Sequence, residues 1–425
     1  MSRNYINDTI CVQGGYKPKV GEPRITPIVQ STTYKYEDPN HLADIFDLKE
    51  EGHMYSRISN PTISAFEEKI AQLEGGVGAL ATASGQAATL ISILNICKSG
   101  EHIIASSNLY GGTHTLFSTT LKKMGIDVTF IDPNLSEKEI LSYGRNNTKT
   151  LFAETISNPS LNVLDFEKFS NVAKKLEVPF IVDNTFPTPY LCNPFKYGAN
   201  IVIHSATKYI DGHATSVGGV IVDGGNFNWD NGKFNELVDP DPSYHGISYI
   251  KEFKEQAYIV KARVQLLRDM GSSLSPFNSF LLNLGVETLH LRMEKHSENA
   301  LKLAKYLESH PKVAWVNYPK LKGNINYELA NKYLKKGCSG MLTFGIKGGK
   351  KKAIEFIEEL ELVSLVIHLG DARTSVLHPA TTTHRQLSKA QLEESLVTED
   401  MIRVSVGIEG IEDIVYDFER ALEKI

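Results

Sequence analysis

The stretch PFIVDNTFPTPYLCNPFKYGANIVIHSATKY, residues 179–209, decides the fold. Its two short apolar runs, residues 179–183 and 199–204, are rich in β-branched side chains and lack polar alternation. Such runs read as strands buried on both faces. Working outward, the same kind of run recurs at residues 101–106, 128–131 and 150–154 and at Gly219–Asp223. Helical patterns at residues 86–97 and at Phe166–Leu176 lie between several of them. This alternation predicts an α/β protein with a mostly parallel sheet covered on both faces.

Beyond that core the rhythm changes. Gly14-Gly15, Pro18, Gly21, Pro23, Pro27 and Pro39 punctuate the first sixty residues, which read as an irregular arm. A helix is expected after Asn60-Pro61-Thr62, stopping at Gly75-Gly76. Residues 226–248 read as a loop-rich insertion, followed by a helical region to about residue 310. Met341–Ile346 and residues 364–369 and 401–406 read as strands of a smaller α+β C-terminal domain, closed by a helix over Ile411–Lys424. The expected organisation is an arm (1–60), an α/β domain carrying the site (61–280) and a C-terminal α+β domain (281–425).

Composition narrows the ligand. The 425 residues are 41% apolar and 22% charged, which excludes a disordered chain. Forty-five Lys and Arg against fifty Asp and Glu leave a net charge of −5, with no footprint for nucleic acid or an anionic membrane. A small-molecule ligand is expected. No run of about 18 apolar residues predicts a membrane span. Cys11, Cys97, Cys192 and Cys338 form no CxxC pair, and the N-terminus lacks the apolar segment of a signal peptide, so a reduced cytoplasmic protein is expected. The thirteen histidines show no HxxxH or HExxH spacing, and no metal site is expected.

Gly76-Val77-Gly78-Ala79-Leu80-Ala81 matches the G-x-G-x-x-A dinucleotide fingerprint in letters only. That fingerprint needs a strand before it and a helix after it, whereas here a helix precedes, so a glycine helix stop is the better reading. Ser84-Gly85-Gln86 opens directly into a helix. Free amides and the positive dipole end suit a phosphate there, although a plain N-cap serine explains Ser84 equally well. Asp183 ends one strand, and Ser205-Ala206-Thr207-Lys208 follows another. Strand carboxyl ends face the ligand crevice in such sheets, so an acid, two hydroxyls and an amine share one cleft. These are the parts pyridoxal 5′-phosphate requires: an amine to trap the aldehyde, a carboxylate for the pyridine nitrogen, and donors for the phosphate.

The chain resembles the Cys/Met-metabolism family of pyridoxal-phosphate enzymes of fold type I over nearly its full length. The resemblance rests on YSRISNPT (55–62), ALATASGQAA (79–88), LYGGT (109–113), Glu154 with Ser157-Asn158-Pro159, VDNTF (182–186), HSATKY (204–209), DPSYHG (241–246), KARVQLLRD (261–269), HPATTTH (378–384) and IRVSVGIE (402–409). It implies Lys208 as the Schiff-base lysine and proton carrier, and Asp183 as partner of the pyridinium nitrogen. It implies Gly85, Gln86, Ser205 and Thr207 as phosphate holders, and Tyr110 as a catalytic ring stacked on the cofactor that assists departure of the leaving group. Asn158 would bond near the ring oxygen and the substrate carboxylate, which Arg403 would clamp with its bidentate fork. Tyr55 and Arg57 would serve the phosphate of a neighbouring subunit, making a homo-oligomer, expected to be a tetramer of active-site-sharing dimers.

The resemblance is to enzymes acting at the γ-carbon, closest to the sulfhydrylase branch. It implies replacement of the acetyl group of O-acetyl-L-homoserine by sulfide or a thiol, giving L-homocysteine or a methionine analogue. The alternative is a methionine or homocysteine γ-lyase releasing 2-oxobutyrate and ammonia. The insertion and Gly112, where γ-lyases carry cysteine, favour replacement. His368 stands where sulfhydrylases often carry asparagine, so either altered substrate choice or a tolerated variant is open there.

Overall fold

The computed structural model describes residues 5–383, 385 and 397–425. A seven-stranded sheet forms from β1 (Gly78–Thr82), β2 (His102–Ser106), β3 (Asp127–Ile131), β4 (Thr148–Glu154), β5 (Phe180–Asp183), β6 (Ile201–His204) and β7 (Gly219–Asp223), in the order β1-β7-β6-β5-β4-β2-β3. Strands β3, β2, β4, β5 and β6 are parallel, whereas β7 runs antiparallel to both β6 and β1. The absence of polar alternation is explained by the layers. Ile181 and Ile203 enter one apolar cluster while their neighbours Val182 and Val202 enter the other, so helices cover both faces.

The helices begin where local chemistry starts them. Asn60 accepts from the Thr62 amide and caps Pro61–Glu74, whose end is Gly75 at φ 78°. The helix thus stops at Gly75 as expected, and fingerprint Gly78 opens β1 rather than a helix. Asp165 caps Phe166–Leu176, which buries Phe166, Phe169, Val172 and Ala173. Truncating Phe166 to alanine should cost about 3–5 kcal/mol.

A second sheet contains β8 (Val313–Asn317), β9 (Met341–Ile346), β10 (Ser364–Leu365), β11 (Ser375–Leu377) and β12 (Met401–Ser405), in the order β10-β11-β12-β9-β8. Helices Leu289–Ser309 and Ile411–Lys424 flank it. The strand expected over residues 364–369 is only two residues long, because the chain leaves the sheet after Leu365. Strands β1, β8 and β11 were not anticipated. The arm also contains two helices, Asn7–Gln13 and Pro39–Phe46, rather than being irregular throughout. Cys11 is fully buried in the first, and Asp38 caps the second.

Candidate active site

The carboxyl ends of β4, β5 and β6 converge with the start of helix Gly85–Leu94 on a cavity of about 250 Å³. Asp183, Ser205, Thr207, Lys208, Gly85 and Gln86 all line it, joined by Tyr110, Asn158 and Arg403. Nine expected site residues from six separate parts of the sequence thus meet in one place.

Each wall has its own cause. Ser84 is the N-cap, accepting from the Ala87 amide at 3.1 Å, so the two readings of this turn coexist. A Cβ on Gly85 would lie 2.6 Å from Ser205 Cβ. Only glycine lets the helix start press against the end of β6 and present its free amides beside the Ser205 hydroxyl. Thr207 Oγ1 donates to the Gly218 carbonyl and accepts from the Gly218 amide, both at 3.1 Å. Its single proton must re-aim before it can serve a phosphate. Opposite, Arg403 projects from β12. Its Nη1 donates to Asn158 Oδ1 at 3.3 Å and its Nη2 to the Ile367 carbonyl at 3.2 Å.

Burial dominates the electrostatics. It pulls the Lys208 amine down to about 8, helped by the nearby Arg403 charge. It pulls Arg403 down to about 10. Burial pushes the Asp183 carboxyl up, opposed by the Thr185 hydroxyl and amide, which donate to Oδ1 at 2.5 and 2.9 Å. Glu154 is pushed well above the usual carboxylate range by burial and then by Asp183.

Sequence reading assigned no role to Glu154 or Thr185. Glu154 Oε1 accepts from the Tyr110 amide at 2.6 Å, fixing the backbone that carries the ring. The only signal for Thr185 is its place two residues after an aspartate, the spacing of a side chain folding onto its own backbone.

Tyr55 and Arg57 are not brought to this cavity. They sit on the exposed arm, with the Arg57 guanidinium 5.3 Å over the Tyr55 ring and its Nη1 donating to the Arg268 carbonyl. His368 lies between Ile367 and Leu369, two lining residues, and its Nε2 is buried without a partner among the described residues. Burial and then Lys208 pull its imidazole down. His384, the last residue of the HPATTTH stretch, lies outside the described residues.

The cavity fits pyridoxal phosphate on observations of its own. Gln86 is the second residue of a helix whose start suits a phosphate, where its backbone amide is a donor that the helix itself does not use. A Cβ on Gly112 would lie 2.3 Å from Gln86 Nε2 and 2.5 Å from Tyr110 Cε1, so the glycine lets amide and ring close together over the cavity. Thr185 occupies Asp183 Oδ1 only, leaving the other oxygen for a protonated nitrogen. Among the described residues no cluster of three metal-ligating side chains exists.

A phosphate-suited helix start, an acid at one strand end and an amine with a depressed proton affinity at the next define a fold type I pyridoxal-phosphate enzyme. Residues 8–423 match the family model described as "Cys/Met metabolism PLP-dependent enzyme". The chain belongs to that family. It is 48% identical to an O-acetyl-L-homoserine sulfhydrylase of Leptospira meyeri, an alignment covering 100% of this chain and 98% of that protein. It is 45% identical to a homocysteine synthase of Schizosaccharomyces pombe, with 98% of each covered. A crystal structure of an O-acetylhomoserine (thiol)-lyase from Campylobacter jejuni, containing pyridoxyl-lysine phosphate, superposes with a TM-score of 0.95 at 37% identity, covering 99% of this chain and 100% of that one. No helix among the described residues is long and apolar enough to cross a membrane.

Proposed function

We propose that this chain converts O-acetyl-L-homoserine and sulfide into L-homocysteine and acetate. The observation that carries this reading is the 48% identity, along the whole chain, to an O-acetyl-L-homoserine sulfhydrylase, in a chain whose cavity joins Lys208, Asp183 and Arg403.

Bound in the cavity, pyridoxal phosphate supplies an electron sink for the pair left when the substrate α-carbon loses its proton. Gly85 and Gln86 amides, with the Ser205 and Thr207 hydroxyls, hold its phosphate. Asp183 holds its ring nitrogen, and Tyr110 covers its ring. Arg403, aimed by Asn158 and the Ile367 carbonyl, takes the substrate carboxylate in a bidentate grip and fixes the α-carbon over the amine. Lys208 secures the cofactor covalently and, once displaced by the substrate amine, moves protons off the α- and then the β-carbon. With its proton affinity near 8, the amine both accepts and returns a proton close to neutral pH. Sulfide forms the new bond at the γ-carbon, from which acetate has left with the electron pair of the C–O bond.

Tyr55 and Arg57 would complete the phosphate site of a neighbouring subunit, in a tetramer of active-site-sharing dimers. Neither lines this chain's own cavity, which supports that reading. A cytoplasmic location agrees with four free, buried thiols. The test is product analysis with and without sulfide. Sulfide-dependent homocysteine and acetate support the proposal, and 2-oxobutyrate as the main product in the presence of sulfide overturns it.

A further inference from the structure

Arg292 lies on helix Leu289–Ser309, is only 4% exposed, and takes no part in the steps above. Its guanidinium is spent on the turn that follows Lys208. Nη1 donates to the Tyr209 carbonyl at 2.7 Å, and Nη2 lies 3.5 Å from the Ile210 carbonyl. Nη2 also donates to the Gly285 carbonyl at 2.5 Å, and Nε to Thr288 Oγ1 at 3.1 Å. Among the described residues it thus bonds carbonyls and a hydroxyl, and no carboxylate. A buried cation keeps such bonds tightly, because an unpaired N–H group is costly there. A Cβ on Gly212 would lie 2.1 Å from Arg292 Nη1, so only glycine leaves room for this grip.

The two sides of Lys208 are held by different means. Upstream, the Ser205 amide donates to Thr185 Oγ1 at 2.9 Å, and Thr207 is bonded to Gly218. Those bonds fix the residues that face the phosphate without help from Arg292. Downstream, the Lys208 carbonyl accepts from the Gly212 amide at 2.8 Å and closes a turn. The Tyr209 hydroxyl accepts from the Gly340 amide at 3.0 Å, which holds the ring. Arg292 holds the peptide itself, tying the Tyr209 carbonyl to the Gly285 carbonyl of helix Pro276–Glu287.

We propose that Arg292 is a positioning residue that locks the turn after Lys208 and so aims the lysine amine at the cofactor aldehyde. The inference rests on Lys208 being the lysine that captures the cofactor, as proposed above.

The test separates docking from capture in the cofactor-free full chain. Pyridoxine 5′-phosphate has the same ring and phosphate but an alcohol in place of the aldehyde, so its affinity reports docking alone. With pyridoxal phosphate, Lys208 Nζ bonds to the aldehyde carbon and water leaves, so the rate at saturating ligand reports the aim. Arg292→Met removes every donor. Capture should then slow about 10- to 100-fold, since a displacement of about 1 Å at a reacting group costs up to that much. Arg292→Lys keeps the charge without the fork and should fall between Arg292→Met and wild type. Affinity for pyridoxine phosphate should stay at the wild-type level. The pH midpoint of capture should stay near 8, because burial and Arg403 set it. Equal losses of capture rate and pyridoxine-phosphate affinity would mark a merely structural role and overturn the inference, as would wild-type rates. If Arg292→Met does not fold, Arg292→Lys decides alone. Lys208→Ala separates the two layers. Capture lost in Lys208→Ala but unchanged in the Arg292 variants sinks only the inference. A borohydride-reducible bond still formed in Lys208→Ala sinks the assignment of Lys208, and the inference with it.

Discussion

Glu154 and Asp183 are register partners at the carboxyl ends of β4 and β5, a buried and a half-buried carboxyl side by side on adjacent parallel strands. They cannot both ionise cheaply. The two Thr185 donors favour the charged form at Asp183, while burial and Asp183 itself push Glu154 strongly toward the neutral form. The arrangement favours a proton on Glu154 over one on Asp183.

This sorting predicts a pH-dependent stability. The native Glu154 holds its proton above 4.5, the ordinary glutamate value, whereas the unfolded chain releases it there. Its contribution is therefore fully present below that value and is lost as pH rises toward the native one. Glu154→Gln should flatten this decline, so the variant gains stability relative to wild type between acid and neutral pH. Paired thermal melts across that range check it, and parallel wild-type and variant curves would show that Glu154 holds its proton no more tightly in the native protein than in the unfolded chain.

Lys208 gives a kinetic prediction for the cofactor-free enzyme. Only a neutral amine attacks an aldehyde, and burial brings this one to about 8. The rate of covalent cofactor capture should therefore rise with pH and level off above about 8. Lys208→Ala should retain no cofactor after borohydride reduction and lose on the order of 10²–10⁴-fold in turnover. Reduced cofactor found on a different lysine would remove Lys208 from its place.

Arg403 should separate binding from chemistry. Its two nitrogens are spread between Asn158 and the Ile367 carbonyl, which aims the guanidinium as a fork. Arg403→Lys keeps the charge and loses the fork. KM should rise about 10- to 100-fold, the equivalent of a charged hydrogen bond of about 1.5–3 kcal/mol, with a smaller change in kcat. A fall confined to kcat would point away from carboxylate binding.

How much of this was legible in the sequence depended on how local each signal was. Asp183 and Lys208 each end or follow a short apolar run, so their shared cleft follows from the sheet rule alone. Arg403 was placed only by resemblance, since it meets Asn158 across 245 positions of chain. Strand β1 escaped because GALAT has small side chains and no β-branched run; its pairing with β7 makes it a strand. The Glu154–Asp183 pair and the Arg292–Tyr209 contact escaped for the same reason, because register and helix docking are tertiary facts. Helix Asn7–Gln13 has no side-chain cap bond and depends on burying Cys11.

Gly112 should prove sensitive to substitution, although a side chain can be admitted if its two neighbours move. Any side chain puts a Cβ within 2.3 Å of Gln86 Nε2 and 2.5 Å of Tyr110 Cε1. Gly112→Ala must push the amide, the ring, or both away from the cavity. Cofactor affinity should fall about tenfold, equivalent to about 1.4 kcal/mol. Fluorescence titration of the cofactor-free variant measures it, and wild-type affinity would mean that both side chains yield freely.

The arm residues make the last prediction. Tyr55 and Arg57 stack on each other at the surface, away from this chain's own cavity, which contains Lys208. If they serve a neighbour, a site is built from Lys208 of one chain and Arg57 of another. Lys208→Ala and Arg57→Ala homo-oligomers should each be weakly active or inactive. Once their subunits exchange, some mixed pairs contain one site with both residues intact and one with neither. Activity should then return to a fraction of the wild-type level, at most about one quarter for random pairing of equal amounts if each intact site works independently. Mass spectrometry of differently tagged subunits establishes that exchange has occurred. Exchange without recovered activity would place Arg57 in its own chain's site or in no site, and would leave the arm's exposed aromatic–guanidinium pair without a catalytic partner.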